Sequence, residues 1–465
     1  MSNQNKSPYS SSQDAARPKA GAPSFKAGGD KRPAAGIAKK TRGPVVGIPP
    51  RGEPAGAKIR GRAADRIRDG HVWVYASDVE SVETPEVRGD GTVSLLLPVA
   101  DNRGLLLGTA LYSPTSQIAL RMVSRSAIDE REWLSLLETR LRRSIDRRIP
   151  FLKTAESATD SCRLAFSEAD ETPGLIADKY GDLVIFQLLA KGLDTAAVRE
   201  IAVRVLREML DPVAIFERPD ARMRELEDLS VPATAPLWSR DSSSQSNTVF
   251  RLNGLNFHYD ANSGQKTGAF LDQGANYAAA ERWASYLAPG GRALDVCTYQ
   301  GGFALHLART CQQVTGIDAS RSSLEVAEQN LAANRELIRA DVDWVEADAF
   351  ELLRDWSDKQ ERFSAIVLDP PAFAKSQRAV EGALRGYKEL NLRALKMIQP
   401  GGLLVTCSCS HHVGWGDLEG AVKAAAVDAH RRVRLLERRG AALDHPVVLN
   451  IPETEYLKCL MLEVE

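Results

Sequence analysis

The sequence predicts an α/β protein whose largest part is a doubly wound, mostly parallel sheet, preceded by a small β-barrel and an α+β segment. Three observations predict it. From about residue 275 to the end, strand-like and helix-like stretches alternate in the βαβ manner. Between Lys58 and Ser126, short apolar runs are punctuated by Gly, Pro, Asn and Asp. From Glu130, apolar residues recur at helical spacing and mark the start of a further unit.

Taken in order, residues 1–48 are rich in Ser, Ala, Gly, Pro and Lys and carry almost no aliphatic periodicity. Such a stretch buries too little apolar surface to offset its ordering entropy, so a disordered basic tail is expected. The strand-like runs His71–Tyr75, Val93–Leu97, Leu105–Tyr112 and Ile118–Val123 then predict a β-barrel over 58–126. Trp133, Leu136, Leu137 and Leu141 predict a helix over 130–149 with one strongly basic, arginine-rich face. That helix opens an α+β domain spanning 130–260. Strands are expected there at 164–167, 175–178 and 183–189, a helix at 196–209, and a hairpin turning at Asn253-Gly254. In the last domain, 261–465, strands are expected at 292–296, 314–317, 342–345, 364–368, 402–406, 432–437 and 457–464. Their near-continuous apolar runs fit a sheet covered on both faces.

Composition narrows the function classes. With 465 residues, 43% hydrophobic and 26% charged, the chain has apolar material for two or three cores. No apolar run approaches the roughly 20 residues of a membrane span, and no secretory signal is apparent, so a cytoplasmic protein is expected. The six cysteines lack CxxC pairing and regular spacing, which fits a reducing compartment. The net charge of −1 conceals an asymmetry: residues 1–62 hold 13 Lys or Arg against 3 acidic residues, leaving 47 against 58 in the remainder. A basic arm on an acidic body suits capture of a polyanion such as RNA, and the same composition also suits a solubilising tail.

The residues that carry chemistry cluster at predicted strand ends. Arg292–Ala304 reads as a strand that ends in Asp295-Val296 and turns through Gly301-Gly302 into a helix; glycines there let a backbone approach a ligand. Asp318 follows Asp295 by 23 positions, the spacing at which an acidic residue meets ribose hydroxyls. Asp348, after the third strand, and Asp369, before Pro370-Pro371, add two more strand-end carboxylates. Four such groups in successive βα units outline one crevice for a nucleoside-bearing cofactor, and the two prolines fix a rigid loop behind Asp369.

The fifth strand runs into Thr406-Cys-Ser-Cys-Ser410. Carbon 5 of cytosine is a poor nucleophile, and a thiolate adding at carbon 6 activates it. Cys407 and Cys409 are both candidates; a strand ending near Ser408 would leave Cys409 at the mouth and Cys407 packed. A metal held by Cys-x-Cys with His411 or His412 is the competing reading, and no second cysteine pair of zinc-type spacing accompanies it.

The order Lys266-Thr-Gly-Ala-Phe-Leu-Asp-Gln273, Asp295 to Phe303, Asp369-Pro-Pro-Ala-Phe373, Thr406-Cys-Ser-Cys-Ser410, Asp444-His-Pro and Tyr456-Leu-Lys resembles the ribosomal RNA large-subunit methyltransferase I family. The resemblance spans about 58–465. It implies a PUA domain, matched by Arg66 to Val74, then a central EEHEA-type domain and a Rossmann-like catalytic domain. It also implies an S-adenosylmethionine (SAM)-dependent enzyme that forms 5-methylcytosine in large-subunit (23S) ribosomal RNA. Carried over by position, the nucleophile is Cys409 and the Asp-Pro-Pro aspartate is Asp369. The cofactor contacts implied are Lys266, Thr267, Asp272, Asp295, Gly301, Asp318, Asp348 and Asp369, with no metal. A homodimer is compatible with the resemblance. This chain departs from the pattern at Cys407, where relatives often have an aromatic or aliphatic residue, and at His411-His412, which replace a smaller, less polar pair.

Two other functions stay open at this level. An Asp-Pro-Pro-aromatic turn also resembles the motif that orients an exocyclic amine for methylation, which needs no cysteine. A non-catalytic RNA-binding or ribosome-assembly factor could keep such a fold. Under the 5-methylcytosine reading, the barrel and the arginine-rich helix grip RNA phosphates while the target cytosine leaves its stack.

Overall fold

The computed structural model describes residues 46–47, 56–84, 95–152, 158–218, 220–229, 234–241, 245–262, 268–374 and 376–465. The expected tail therefore lies outside the described residues except for Val46–Gly47, and so do Lys266 and Thr267.

The first sheet contains β1 (Val46–Gly47), β2 (Gly56–Ile59), β3 (Trp73–Tyr75), β4 (Val79–Glu83), β5 (Leu96–Asp101), β6 (Leu106–Tyr112) and β7 (Ile118–Ser124), in the order β1-β4-β2-β5-β6-β7-β3. Helix α1 (Gly61–Arg68) follows β2 and buries Ala63, Ala64 and Ile67 against this sheet's core. Neither α1 nor β4 is apparent from periodicity. The helix has eight residues, no side-chain cap and only one large apolar residue, so its burial decides its conformation.

Next come α2 (Glu130–Leu152), β8 (Cys162–Phe166), β9 (Leu175–Tyr180), β10 (Leu183–Leu188), α3 (Ala196–Leu210), β11 (Ala214–Glu217), α4 (Ala221–Glu227) and β12 (Trp238–Ser239). The strands form one sheet in the order β12-β11-β10-β9-β8, with only the β10–β11 pair parallel. Helices α2 and α3 cover it through Trp133, Leu137, Leu141, Val198 and Val205. Most of the arginines expected on the basic face of α2 are engaged in ion pairs. Arg140 and Arg143 pair with Glu171, Arg142 with Glu138 and Glu208, and Arg147 and Arg148 with Asp170. The short segment after β8 supplies Asp170 and Glu171, while Glu138 and Glu208 come from α2 and α3, and Arg148 and Asp170 are both buried.

A hairpin of β13 (Asn247–Leu252) and β14 (Leu255–Asp260) turns at Asn253-Gly254, both at positive φ, as its two-residue loop requires. The last sheet comprises β15 (Arg292–Val296), β16 (Gln313–Asp318), β17 (Asp341–Glu346), β18 (Phe363–Leu368), β19 (Ile398–Ser408), β20 (Val433–Arg439) and β21 (Lys458–Val464). Its order is β17-β16-β15-β18-β19-β21-β20, parallel except for β21, which runs antiparallel to both neighbours. Between its strands lie α6 (Gly302–Leu307), α7 (Arg321–Ala333), α8 (Ala349–Asp358), α9 (Val380–Met397) and α10 (Trp415–Asp428), with α5 (Gly274–Leu287) ahead of them.

Alternation along each central strand splits the core in two. Ala365 and Val367 face Ala280, Leu305 and Leu331, whereas Ile366 and Leu368 face Leu353, Leu390 and Leu418. Helices α5, α6 and α7 thus cover one face and α8, α9 and α10 the other. The winding reverses between β15 and β18, which opens a crevice at the carboxyl ends of the strands.

Candidate functional site

Beyond Val296 the chain turns through Cys297, Tyr299 and Gly301, all at positive φ, before α6 begins. Gly301 is required in this turn: a Cβ there would lie 2.9 Å from the Trp344 ring, in a backbone region that L side chains rarely adopt. Asp295 holds the turn from beneath. Its Oδ2 accepts from Thr298 Oγ1 at 2.6 Å and from the Ala304 amide at 2.9 Å. Complete burial pushes its carboxyl up to about 7, against the opposing pull of those two bonds. Among the described residues its Oδ1 meets no hydrogen-bond partner.

A cavity of about 320 Å³ opens above this turn. Asp318 lines it at the end of β16, fixed by the Tyr299 and Ser320 amides at 2.9 Å each. Asp348 lines it as the N-cap of α8, where Oδ1 accepts from the Phe350 and Glu351 amides. Phe270, Tyr299, Phe350 and Phe373 give the cavity aromatic walls. Asp295 and Gly301, expected to touch a cofactor, lie outside this lining and shape the turn instead.

The far wall carries Asp272, Asp369 and Cys409. Tyr456 Oη donates to Asp272, and Gln273 Nε2 donates to Asp369 at 2.9 Å. Pro370 and Pro371 follow Asp369, and Cys409 Sγ lies 4.0 Å from the Pro370 carbonyl oxygen.

Strand β19 ends at Ser408, so Cys407 lies in the strand and Cys409 in the turn beyond it. Cys407 is fully buried and faces Cys459 across the sheet, and burial pushes its thiol well up. Cys409 is half-buried at the cavity. Its turn is tightly held: Ser408 Oγ donates to Tyr387 Oη at 2.8 Å, and that hydroxyl lies 3.1 Å from Ser410 Oγ, which also accepts from the Ala374 amide at 3.2 Å. His411 and His412 are exposed, and among the described residues no cluster of His, Cys, Asp or Glu is placed to hold a metal. Sequence reasoning missed Tyr387 and the aromatic walls. Tyr387 lies 21 residues from Ser408 on a different element, so no local pattern marks it.

Residues 57–125 match the PUA-like domain family, and residues 188–448 match the S-adenosylmethionine-dependent methyltransferase family. A protein from Pseudoalteromonas translucida named Ribosomal RNA large subunit methyltransferase I is 34% identical over 397 residues, covering 85% of this chain and 95% of its own. The chain belongs to that family. A methyltransferase of the same name from Aeromonas salmonicida is 33% identical, covering 87% of this chain and 98% of its own. The fold likeness extends to crystal structures. A SAM-dependent methyltransferase from Streptococcus mutans superposes with a TM-score of 0.71 at 18% identity, over 87% of this chain and 99% of that one. A methyltransferase complexed with SAH gives the same values.

Membership of the large subunit methyltransferase I family makes the chain a SAM-dependent methyltransferase. The donor set fits that cofactor: two carboxylates fixed by main-chain amides stand beside aromatic and small apolar walls suited to a nucleoside. Among the described residues no helix is long and apolar enough to cross a membrane.

Proposed function

We propose that this enzyme forms 5-methylcytosine in large-subunit ribosomal RNA, in the cytoplasm, with Cys409 as covalent nucleophile. The observation that carries the reading is that Cys409 and Asp369 line one cavity together with Asp318 and Asp348. The named activity of its relatives supports the RNA substrate.

In this reading Asp318 and Asp348 hold the cofactor, with Asp272 near its amino-acid end and Gly301 and Asp295 shaping the turn beneath. Lys266 and Thr267, in the same motif as Asp272, are assigned to the cofactor by the family pattern. When bound, SAM supplies an electrophilic methyl group to carbon 5. The PUA-like unit at 57–125 engages structured RNA through phosphates and shape, and the target cytosine is taken out of its stack into the cavity.

Cys409 Sγ forms a bond to carbon 6, and the ring's electron pair moves toward carbon 5. The Asp369 carboxylate accepts a hydrogen bond from ring nitrogen 3 and so favours its protonation from solvent as negative charge builds there, and that proton returns to solvent when the adduct collapses. Once methylated, carbon 5 loses its proton to a base, which we take to be water. The sulfur–carbon bond then breaks, restoring the ring and the thiolate. Pro370 and Pro371 keep Asp369 and Cys409 at a fixed separation through these steps.

Incubating the protein with SAM and unmodified large-subunit RNA, then analysing nucleosides by mass spectrometry, tests the proposal. 5-Methylcytosine is the expected product. An N-methylated nucleoside would support the exocyclic-amine alternative, and SAM binding without any product would support an assembly factor.

A further inference from the structure

The turn that carries Cys409 rests on a buried cation. Lys458 opens β21 and pairs in register with Ser408 across the antiparallel β19–β21 ladder. It is 2% exposed, and its Nζ donates to the main-chain carbonyls of Ser410 and Tyr456, each at 2.7 Å. Among the described residues it has no carboxylate within 4.0 Å. A buried ammonium satisfied only by neutral carbonyls is costly, and a nearby anion would relieve that cost.

We infer that Lys458 is the positioning residue for Cys409: it anchors the residue on each side of the thiol, Ser408 by strand pairing and Ser410 by hydrogen bond, and its charge favours the thiolate. The inference rests on the reading of Cys409 as the nucleophile. The anionic groups that act on Lys458 through space are Cys409 first, then Glu455 and Asp417. Burial pushes the lysine down from its ordinary range, and those anionic groups push it back up. Facing Cys409 from α9 is Tyr387, whose phenol burial pushes up, so it stays neutral and adds no charge. Asp369, beyond β18, lines the same cavity and opposes an anion there. Lys458 is thus the buried cation among these groups; His411, exposed two residues beyond Cys409 with its ring centroid 5.6 Å from that of Tyr456, is a further titratable side chain on the turn.

The test is the pH profile of Cys409 alkylation by iodoacetamide in the full chain, read by mass spectrometry of the peptide that contains it. An ordinary cysteine titrates near about 8.5. The wild-type midpoint is expected below that value. Lys458→Gln keeps a donor for the turn but removes the charge, and should raise the midpoint by about one unit or more. Lys458→Arg should restore most of the shift, with SAM binding in both variants reporting the fold. A wild-type midpoint at or above about 8.5, or a Lys458→Gln midpoint equal to wild type, would overturn the inference. If Lys458→Gln does not fold, the wild-type profile decides alone. Alkylation reads the thiol and not the product, so methylation persisting without Cys409 would remove the nucleophile reading and leave this result standing.

Discussion

Gln273 donates its side-chain amide to Asp369 at 2.9 Å, joining two segments 96 residues apart on the wall of one cavity. A hydrogen bond to a charged group contributes about 1.5–3 kcal/mol, or roughly 10- to 100-fold in rate if it acts in the transition state. Gln273→Ala should therefore lower single-turnover methyl transfer by at least about tenfold, with SAM affinity changed by less than about threefold. An unchanged rate would mean that Asp369 needs no such support.

Gly301→Ala should weaken SAM binding more than it weakens RNA binding. The added Cβ meets the Trp344 ring and must hold a φ of +85°, at a cost of roughly 1–2 kcal/mol of backbone strain before any shift of the ring. Calorimetry with SAM is expected to give a dissociation constant raised about tenfold or more. A wild-type value would detach the turn from the cofactor.

Asp295 gives the fold a pH dependence of defined sign. Its carboxyl sits at about 7 in the folded chain against an ordinary 3.8, so between those values the folded state holds a proton that the unfolded state has released. Its contribution to stability is full below about 4, falls by up to about 1.4 kcal/mol per pH unit toward 7, and levels off above it. In Asp295→Asn the neutral amide mimics the protonated acid, and that share of the slope should vanish. Denaturant unfolding at pH 5, 6, 7 and 8 checks this, and equal slopes in both proteins would contradict it.

Asp170→Ala should be among the most destabilising single changes outside the cavity. Asp170 accepts two hydrogen bonds from Arg148, at 2.8 and 2.7 Å, and both residues are buried. Removing the carboxylate strands an uncompensated guanidinium at a cost of about 3–5 kcal/mol. Denaturant titration measures it, and a loss below about 1 kcal/mol would show that solvent reaches Arg148 readily.

These residues also mark how much could be read before the fold was known. The run Ala365–Leu368 and the Asn253-Gly254 turn are local signals, one of apolar continuity and one of turn chemistry, and both elements lie where those signals put them. The carboxylates Asp318 at the end of β16, Asp348 after β17 and Asp369 after β18 were legible because strand ends in a doubly wound sheet converge on one crevice. Asp295 was not, since its spacing from Asp318 is the same whether it faces the cavity or the underside of the turn. Only its bonds to Thr298 and Ala304 decide. The ion pairs of the α2 arginines were hidden for a similar reason: periodicity gives a basic face, but two of the carboxylates that meet it, Asp170 and Glu171, come from another element. Tyr387 acts through a contact 21 residues away in sequence, which no local pattern encodes; Lys458 stands in the Tyr456-Leu-Lys motif, but that motif does not show its bond to Ser410, 48 residues away.

The most direct measurement is methyl transfer by Cys409→Ala on unmodified large-subunit RNA, with SAM binding followed in parallel. Loss of 5-methylcytosine with SAM affinity retained is the predicted result; 5-methylcytosine formed at a rate near wild type would contradict a covalent role for Cys409.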